Sequence, residues 1–312
     1  MQKRKMALLV AGALLFTTGL SAHLNREKSD DIASRVFSYS ESVDDDDFLV
    51  SAHRGFSSLQ VENTVEAFSL ASEKNYIDYI EMDARLTKDH RLVLSHDNQL
   101  LISPDCTQEV SSSNYDSLME QSFYYGSMPN HFSLWRSPES GFLIGRYVAL
   151  NGEEFHLCGL LEGIEACRDK KILLDLKFQN DIEEFVEELK EELKDVDTSN
   201  IIFQSLNLEG IRYLRDHSDY TCLALISSSR DLDCLEEFPY VGLKSSLLTP
   251  ELIEKICEED RCVALWTIDS SKELNRVVDL LGDHYQDVIY ITDYPDFVAM
   301  MLQQKQYEKT KR

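Results

Sequence analysis

The chain has 312 residues, of which 56 are acidic and 31 are basic, so its formal net charge is -25 at pH 7. A surface this acidic argues against a nucleic-acid partner and against tight adhesion to anionic lipid, because both need clustered lysine and arginine. Hydrophobic residues make up 43% of the chain and aromatic residues 10%. That content is enough to bury a full core, and it excludes global disorder.

The first 22 residues have the pattern of an export signal. Basic residues at positions 3–5 precede an uncharged stretch over residues 6–22, which is typical of a secretory leader. We expect residues 1–22 to be a signal peptide or an uncleaved signal anchor, with the rest of the chain exported. Membrane contact is expected only through this leader, if it stays uncleaved. Residues 23–47 are polar, end in an acidic run and are expected to be a spacer.

From residue 48 onwards, short apolar runs alternate with amphipathic helical patterns. This alternation indicates βαβ units around a parallel sheet. Nine runs are strand candidates: Phe48–Ala52, Tyr79–Ala84, Leu92–Ser95, Ile172–Leu176, Ile201–Phe203, Cys222–Ile226, Tyr240–Leu243, Cys262–Trp266 and Val288–Ile291. They predict an eight-stranded (β/α)8 barrel over residues 48–302, with Tyr240–Leu243 as the weakest candidate, followed by a charged tail at 303–312.

One interval breaks this alternation. Residues 102–156, after the third strand candidate, are rich in aromatic side chains and show no βα pattern. An interval this long inside a compact domain is usually functional or disordered, and the aromatic content favours an ordered insertion. Because it follows a strand end, it is expected on the face where barrel active sites lie.

Seven cysteines follow the leader, and no pair has the spacing C-x-x-C. An odd number leaves at least one thiol unpaired. Several lie in apolar, strand-like runs, where a thiol acts as a small hydrophobic side chain. We interpret the cysteines as mostly structural.

Acidic side chains stand at the ends of predicted strands. Glu81 and Asp83 are two residues apart, so they project to the same side of their strand, about 6–7 Å apart. Asp175 is expected to add a third carboxylate from a strand across the barrel mouth. Clustered carboxylates repel unless they share a proton or hold a cation, and three oxygen donors suit Ca²⁺ or Mg²⁺. Taken singly, each acid is more simply a surface residue at a ragged strand end.

Histidines and cations occupy equivalent positions. His53 and His96 also follow predicted strands, and a pair of imidazoles can divide the work of general base and general acid, because histidine titrates near neutrality. Arg54 and Lys177 would supply the positive charge that a phosphate group requires. Each residue alone is unremarkable, but together they predict a phosphodiester-cleaving site at one barrel face.

The motifs in their order resemble those of the glycerophosphodiester phosphodiesterase family. The resemblance runs from about residue 48 to residue 301, nearly all of the chain after the leader. It is carried by His53-Arg54-Gly55, Glu62-Asn63-Thr64, Glu81-Met82-Asp83, Thr87 with Asp89, Ser95-His96-Asp97, Trp266-Thr267 and Thr292-Asp293-Tyr294-Pro295.

The resemblance implies a TIM-type barrel that hydrolyses small-molecule glycerophosphodiesters to glycerol 3-phosphate and an alcohol, using one divalent cation, Ca²⁺ or Mg²⁺. It assigns acid/base catalysis to His53 and His96. The metal ligands are then Glu81, Asp83 and Asp175, and the substrate-binding residues are Arg54, Lys177 and Trp266.

Some positions depart from the family pattern. The third metal ligand is usually a glutamate, whereas here it is the shorter Asp175. Val61 replaces a proline before the Glu-Asn-Thr segment, and Asp269 replaces an asparagine after Trp-Thr, which is expected to add negative charge near the pocket rim.

Two alternative functions stay open at this point. A sphingomyelinase D-like or lysophospholipase D-like phosphodiesterase would use a related barrel, two histidines and a divalent metal, with a third acidic ligand that can be aspartate. The other alternative is a catalytically inactive member that serves as a binding module. Such a member would be expected to lack a histidine or a metal acid, and this chain has all of them.

Overall fold

The computed structural model describes residues 48–103, 106–124, 154–179, 181–258 and 261–310. The predicted leader (1–22), the predicted spacer (23–47) and the middle of the predicted insertion (125–153) lie outside these residues.

The strands are β1 Leu49–Ala52, β2 Tyr79–Leu86, β3 Leu92–Leu94, β4 Gln99–Ser103, β5 Cys106–Glu109, β6 Phe123–Tyr124, β7 Glu154–Phe155, β8 Cys158–Gly159, β9 Lys171–Leu176, β10 Ile201–Ser205, β11 Thr221–Ile226, β12 Tyr240–Lys244, β13 Cys262–Trp266 and β14 Val288–Thr292. The α-helices are α1 Val65–Ser72, α2 Tyr115–Met119, α3 Leu160–Ala166, α4 Ile182–Leu193, α5 Leu208–Asp216, α6 Pro250–Glu258, α7 Ser271–Leu281 and α8 Pro295–Thr310.

Eight parallel strands close into a ring in the order β1, β2, β9, β10, β11, β12, β13 and β14. Closure is made by β1, which pairs with β2 on one side and with β14 on the other. The predicted (β/α)8 barrel is therefore confirmed, and all eight strands present their C-terminal ends at one mouth.

The structure corrects two strand assignments. Tyr240–Lys244, predicted as the weakest candidate, is a full barrel strand with parallel partners on both sides. The candidate outside the barrel is β3, which pairs antiparallel with β2. Only residues 87–91 separate β2 from β3, and a parallel neighbour would need a crossover of a dozen residues or more. A tight turn with His90 at φ 61° forms a hairpin instead.

Alternate side chains of the barrel strands fill the interior. A buried cluster below the mouth includes Tyr79, Leu173, Leu223 and Ile289, and the half-buried Trp266 packs against it from the end of β13. The side chains of the next interior positions stand above this cluster, because residues i and i+2 of a strand face the same way. The cluster forms the floor of the site.

The helices cover the barrel from outside. In α4 the buried residues are Phe185, Val186, Leu189 and Leu193, so the predicted apolar stripe faces the strands. Helix α8 continues through the predicted charged tail as far as Thr310. Within the described ranges, none of the helices is both long and apolar enough to cross a membrane. Among the side chains that the structure describes are six free cysteine thiols, and four of them are buried.

The described flanks of the insertion are ordered. Antiparallel pairs form between β4 and β5 and between β6 and β7, and β8 pairs with β3. Their side chains share a small hydrophobic core built from Val93, Leu100, Val110, Leu118, Phe123 and Leu157. This core anchors the insertion to the β2–β3 hairpin at the barrel mouth.

Candidate active site

Three buried carboxylates meet at the mouth, on two adjacent strands. Glu81 and Asp83 project from β2 and Asp175 from β9, and a ligand oxygen of each lies within 4.8 Å of the other two. Asp83 is the direct register partner of Asp175. The expectation that Asp175 lies across the mouth is wrong: because β3 is not a barrel strand, β9 is the neighbour of β2. The three acids predicted as ligands therefore come together more closely than expected.

Two cations partly balance this cluster. The Lys177 ammonium lies 2.5 Å from Asp175 Oδ2 and 2.8 Å from Asp83 Oδ1. Although burial alone would raise it, Lys177 and then Arg54 hold the pKa of Asp83 well below its usual range. Lys177, predicted to bind the phosphate, thus lies at the mouth, and two of the three clustered carboxylates are its partners in this structure.

The remaining charge indicates what the cluster can bind. Burial and the neighbouring Asp83 raise the pKa of Glu81 to about 8, and burial also raises the pKa of Asp175 despite its ion pair with Lys177. Three buried acids therefore cannot all stay ionised with only the nearby cations as compensation. A divalent cation would supply the missing charge, and the all-oxygen donor set fits Ca²⁺ or Mg²⁺.

The turn after β1 places Arg54 beside these acids. Arg54 and Gly55 have φ angles of 57° and 80°, and a Cβ on Gly55 would stand 2.7 Å from Ala67 Cβ. Only glycine fits this close approach to α1. The turn aims the Arg54 backbone N–H at Glu81 Oε2, 2.8 Å away, and brings the guanidinium to Glu62 Oε1 at 2.8 Å. The same guanidinium lies 3.4 Å from Asp83.

Asn63 positions Asp83 through both of its amide atoms. Its Nδ2 donates to Asp83 Oδ2 at 2.8 Å, and its Oδ1 accepts from the Asp83 backbone N–H at 3.0 Å. The sequence identified Asn63 only as part of a family motif. Its contact with β2 explains why an asparagine, with one donor group and one acceptor, stands there.

The His53 ring is oriented by Asp293, which directly follows the last barrel strand, β14. Its Nδ1 lies 2.7 Å from Asp293 Oδ1, which also accepts from Ser57 Oγ at 3.2 Å. Nε2 is left facing the acids, 3.9 Å from Glu81 Oε2. Burial and Arg54 favour the neutral ring, but Asp293 and Glu81 outweigh them and raise the pKa of His53 to about 9.

His96 follows β3 on the hairpin that extends β2. Its Nδ1 lies 2.9 Å from Asp97 Oδ1, and its backbone carbonyl accepts two hydrogen bonds from the Arg85 guanidinium. The backbone N–H of Ser95 donates to Asp83 O at 2.8 Å. Each histidine thus has an aspartate on Nδ1, and the second histidine is tied to the strand that carries the acids.

Two further side chains complete the walls. Trp266 ends β13, and its indole N–H is buried without a hydrogen-bond partner among the described residues. Asp269, which was expected to add negative charge near the pocket rim, accepts hydrogen bonds from the Asp293 backbone N–H at 2.9 Å and from Thr292 Oγ1 at 3.2 Å. Burial and the nearby Asp293 raise the pKa of Asp269 to about 7.

Gln204 was not singled out from the sequence. It is buried on β10, and its Nε2 lies 3.5 Å from Glu81 Oε1. The signal was present, because Gln204 directly follows the apolar strand candidate Ile201–Phe203 and stands two residues after the interior-facing Ile202. A polar side chain at an interior position near a strand end belongs to the mouth of a barrel.

Comparison with known proteins agrees with this site. A sequence model of the glycerophosphoryl diester phosphodiesterase family matches residues 53–296. YhdW of Bacillus subtilis, provisionally named a glycerophosphodiester phosphodiesterase, is 29% identical over 262 residues, which cover 79% of this chain and 95% of that protein. The glycerophosphodiester phosphodiesterase of Caldanaerobacter subterraneus is 25% identical over 243 residues, covering 74% and 89% respectively.

A solved structure shows the same fold. The Oleispira antarctica phosphodiesterase in complex with the product sn-glycerol-3-phosphate has a TM-score of 0.64 and 20% identity, over 86% of this chain and 99% of that one. The family match spans most of the barrel and includes every motif around the three acids and two histidines. The chain therefore belongs to the glycerophosphoryl diester phosphodiesterase family, and it is an enzyme with that activity.

Proposed function

We propose that the enzyme hydrolyses glycerophosphodiesters to glycerol 3-phosphate and an alcohol, by metal-dependent catalysis with two histidines. The observation that carries the proposal is the placement of His53 Nε2 3.9 Å from Glu81, beside the three buried acids. The relative from Oleispira antarctica holds sn-glycerol-3-phosphate as its product, which supports the same product here.

Glu81, Asp83 and Asp175 would hold one divalent cation, Ca²⁺ or Mg²⁺, which when bound offsets the charge of a phosphate group. One histidine accepts a proton from the nucleophile, either water or the substrate's own glycerol hydroxyl; in the second case a water molecule must then open the resulting cyclic phosphate to give glycerol 3-phosphate. The other donates a proton to the departing alkoxide. In both rings the aspartate on Nδ1 leaves Nε2 for the substrate. Arg54 and Lys177, which lie against the acids, provide positive charge for the phosphate oxygens, and Trp266 lines the mouth from the end of β13.

Metal removal tests the first half of this proposal. Glycerophosphocholine should be hydrolysed in Mg²⁺ or Ca²⁺, and EDTA should abolish the activity because the acids then lack a counter-charge. The measurement is release of glycerol 3-phosphate in each buffer, with re-addition of each ion to the EDTA-treated enzyme. Full activity in EDTA would overturn the metal dependence. Lysophosphatidylcholine belongs in the same panel, since faster turnover of that lipid would favour the lysophospholipase D-like alternative.

We further propose that the protein is exported through its leader. The support is the basic start followed by an uncharged stretch over residues 6–22, the pattern of a secretory signal. Fractionation of cells that produce the full chain should place the barrel outside the cytoplasm, either released or attached to the membrane. Recovery of all full-length protein in the cytosol would contradict export.

A further inference from the structure

The barrel wall opposite the three acids carries two exposed basic residues. In the closed ring, β12 stands four places from β2 in either direction, so the two strands face each other across the mouth. Lys244 is the last residue of β12, and Arg230 lies in the 3₁₀ segment Ser229–Glu236 that follows the neighbouring β11. We call Lys244 and Arg230 the basic rim.

Lys244 belongs to the interior side of its strand. Tyr240 packs against the interior cluster, and a Cβ on Gly242 would collide with the interior side chains of Leu223 and Leu225. Lys244, two residues further on, continues this face. It is the register partner of Trp266, and unlike the residues below it Lys244 is exposed. The register therefore places Lys244 at the mouth, on the strand beside Trp266.

Arg230 adds a second cation on the adjacent loop. Its backbone N–H is capped by Ser228 Oγ at 3.3 Å, which fixes the start of the 3₁₀ segment at the C-terminal end of β11. The side chain is exposed. The two basic residues thus follow neighbouring strands at the same edge of the barrel.

Both cations lack an acidic partner within the part of the chain that the structure describes. The contrast with the opposite wall is clear, since Arg54 is paired with Glu62 and Lys177 with Asp175. An acid near Lys244 is also engaged: Glu273 pairs with Arg276 at 2.7 Å, and that guanidinium donates to Ser245 O. The segment that carries Arg230 also contains Asp231 and Asp233, so the distinctive feature of this wall is Lys244, an exposed cation on the interior face of β12.

We propose that the basic rim binds an anionic group on the alcohol half of the substrate, so that the enzyme prefers glycerophosphodiesters whose headgroup carries a carboxylate or phosphate. The inference rests on the proposed function and specifies its substrate class. The phosphodiester group itself would be bound at the opposite wall, by the divalent cation on the three acids together with Arg54 and Lys177. A headgroup that extends from there across the mouth meets Lys244 and Arg230. The positive charge of a choline headgroup would be repelled by Lys244 and Arg230. This repulsion would oppose the cation–π attraction that Trp266 could offer.

Two esters that differ by one carboxylate test the preference: glycerophosphoserine and glycerophosphoethanolamine. The full chain with its divalent ion should show a kcat/KM for the serine ester about tenfold above that for the ethanolamine ester, the scale of one hydrogen bond between charged groups. Lys244→Met and Arg230→Gln should each lower this ratio several-fold, and Lys244→Glu should invert it. Both rates come from one preparation, so the ratio does not depend on the folded fraction of a variant.

Lys190→Met, on the outer face of α4, is the matched control, because it removes the same charge far from the mouth and should leave the ratio unchanged. A wild-type ratio near one, or a ratio that survives in the Lys244→Met/Arg230→Gln double variant, would overturn the proposal while leaving the proposed function intact. If neither ester is hydrolysed, the proposed function is overturned, and this inference is overturned with it.

Discussion

Replacing His53 or His96 by alanine should reduce turnover of glycerophosphocholine by about two to four orders of magnitude, the usual contribution of a positioned acid or base. Each substitution removes an imidazole but leaves the three acids and Lys177 in place, so folding and metal affinity should change little. Steady-state kinetics measures the first effect, and calorimetric titration with the divalent ion measures the second. His284→Ala is the matched control, since His284 is exposed on the outer surface beside Asp287 and should not affect turnover.

The two histidines should differ when the leaving group changes. A nitrophenyl ester of glycerol 3-phosphate releases a stable anion that needs little protonation, so loss of the acid should cost much less with this substrate than with glycerophosphocholine. Loss of the base should cost the same with both. Equal losses for both variants on both substrates would reject the division of roles. Near-normal activity of either variant would show that its histidine is structural.

Asp175→Ala should weaken metal binding and activity together, and excess divalent ion should partly restore the activity. The reason is that Asp175 supplies one of three oxygens within 4.8 Å of one another. Loss of an outer partner of a ligand typically costs 10–100-fold in metal affinity or activity, and loss of a direct ligand should cost at least as much. Titration of activity against Mg²⁺ and Ca²⁺ gives the apparent affinity of each variant.

The controls separate loss of the ligand from loss of the fold. Thermal unfolding in EDTA should show that Asp175→Ala still folds, and Glu187→Ala on the exposed face of α4 should leave the metal dependence unchanged. Asp175→Glu restores the ligand that the family usually has. If it raises activity, the site accommodates the longer side chain. If Asp175→Ala keeps the wild-type metal dependence, Asp175 is not a ligand.

Local patterns predicted the features that depend on neighbouring residues in the chain. The spacing of Glu81 and Asp83 indicated a shared direction, and β2 shows it because side chains alternate along a strand. The alternation of apolar runs with amphipathic helical patterns predicted the barrel, because it is typical of consecutive βαβ units. The β3 assignment failed because apolar character does not reveal a strand's partner. The turn over residues 87–91 held that information, since it is too short for a crossover.

Contacts between distant segments could not be predicted in this way. Asp293 lies 240 residues from His53 in the chain, and only closure of the ring brings them together. The partners of Asp269 could not be predicted for a related reason: its hydrogen bonds to Thr292 and Asp293 depend on the register between the ends of β13 and β14. The sequence identified these residues as motif members but not their partners.

The meeting of the first and last barrel strands has a consequence for biosynthesis. A nascent chain that has emerged only as far as β13 already contains both histidines and every proposed metal ligand, but it lacks the carboxylate that holds the His53 ring. Ring orientation therefore waits for the last βα unit to be translated and docked beside β1. Hydrolytic competence then arises with completion of the fold, because a chain interrupted before Asp293 lacks both the closing strand and the partner that orients His53.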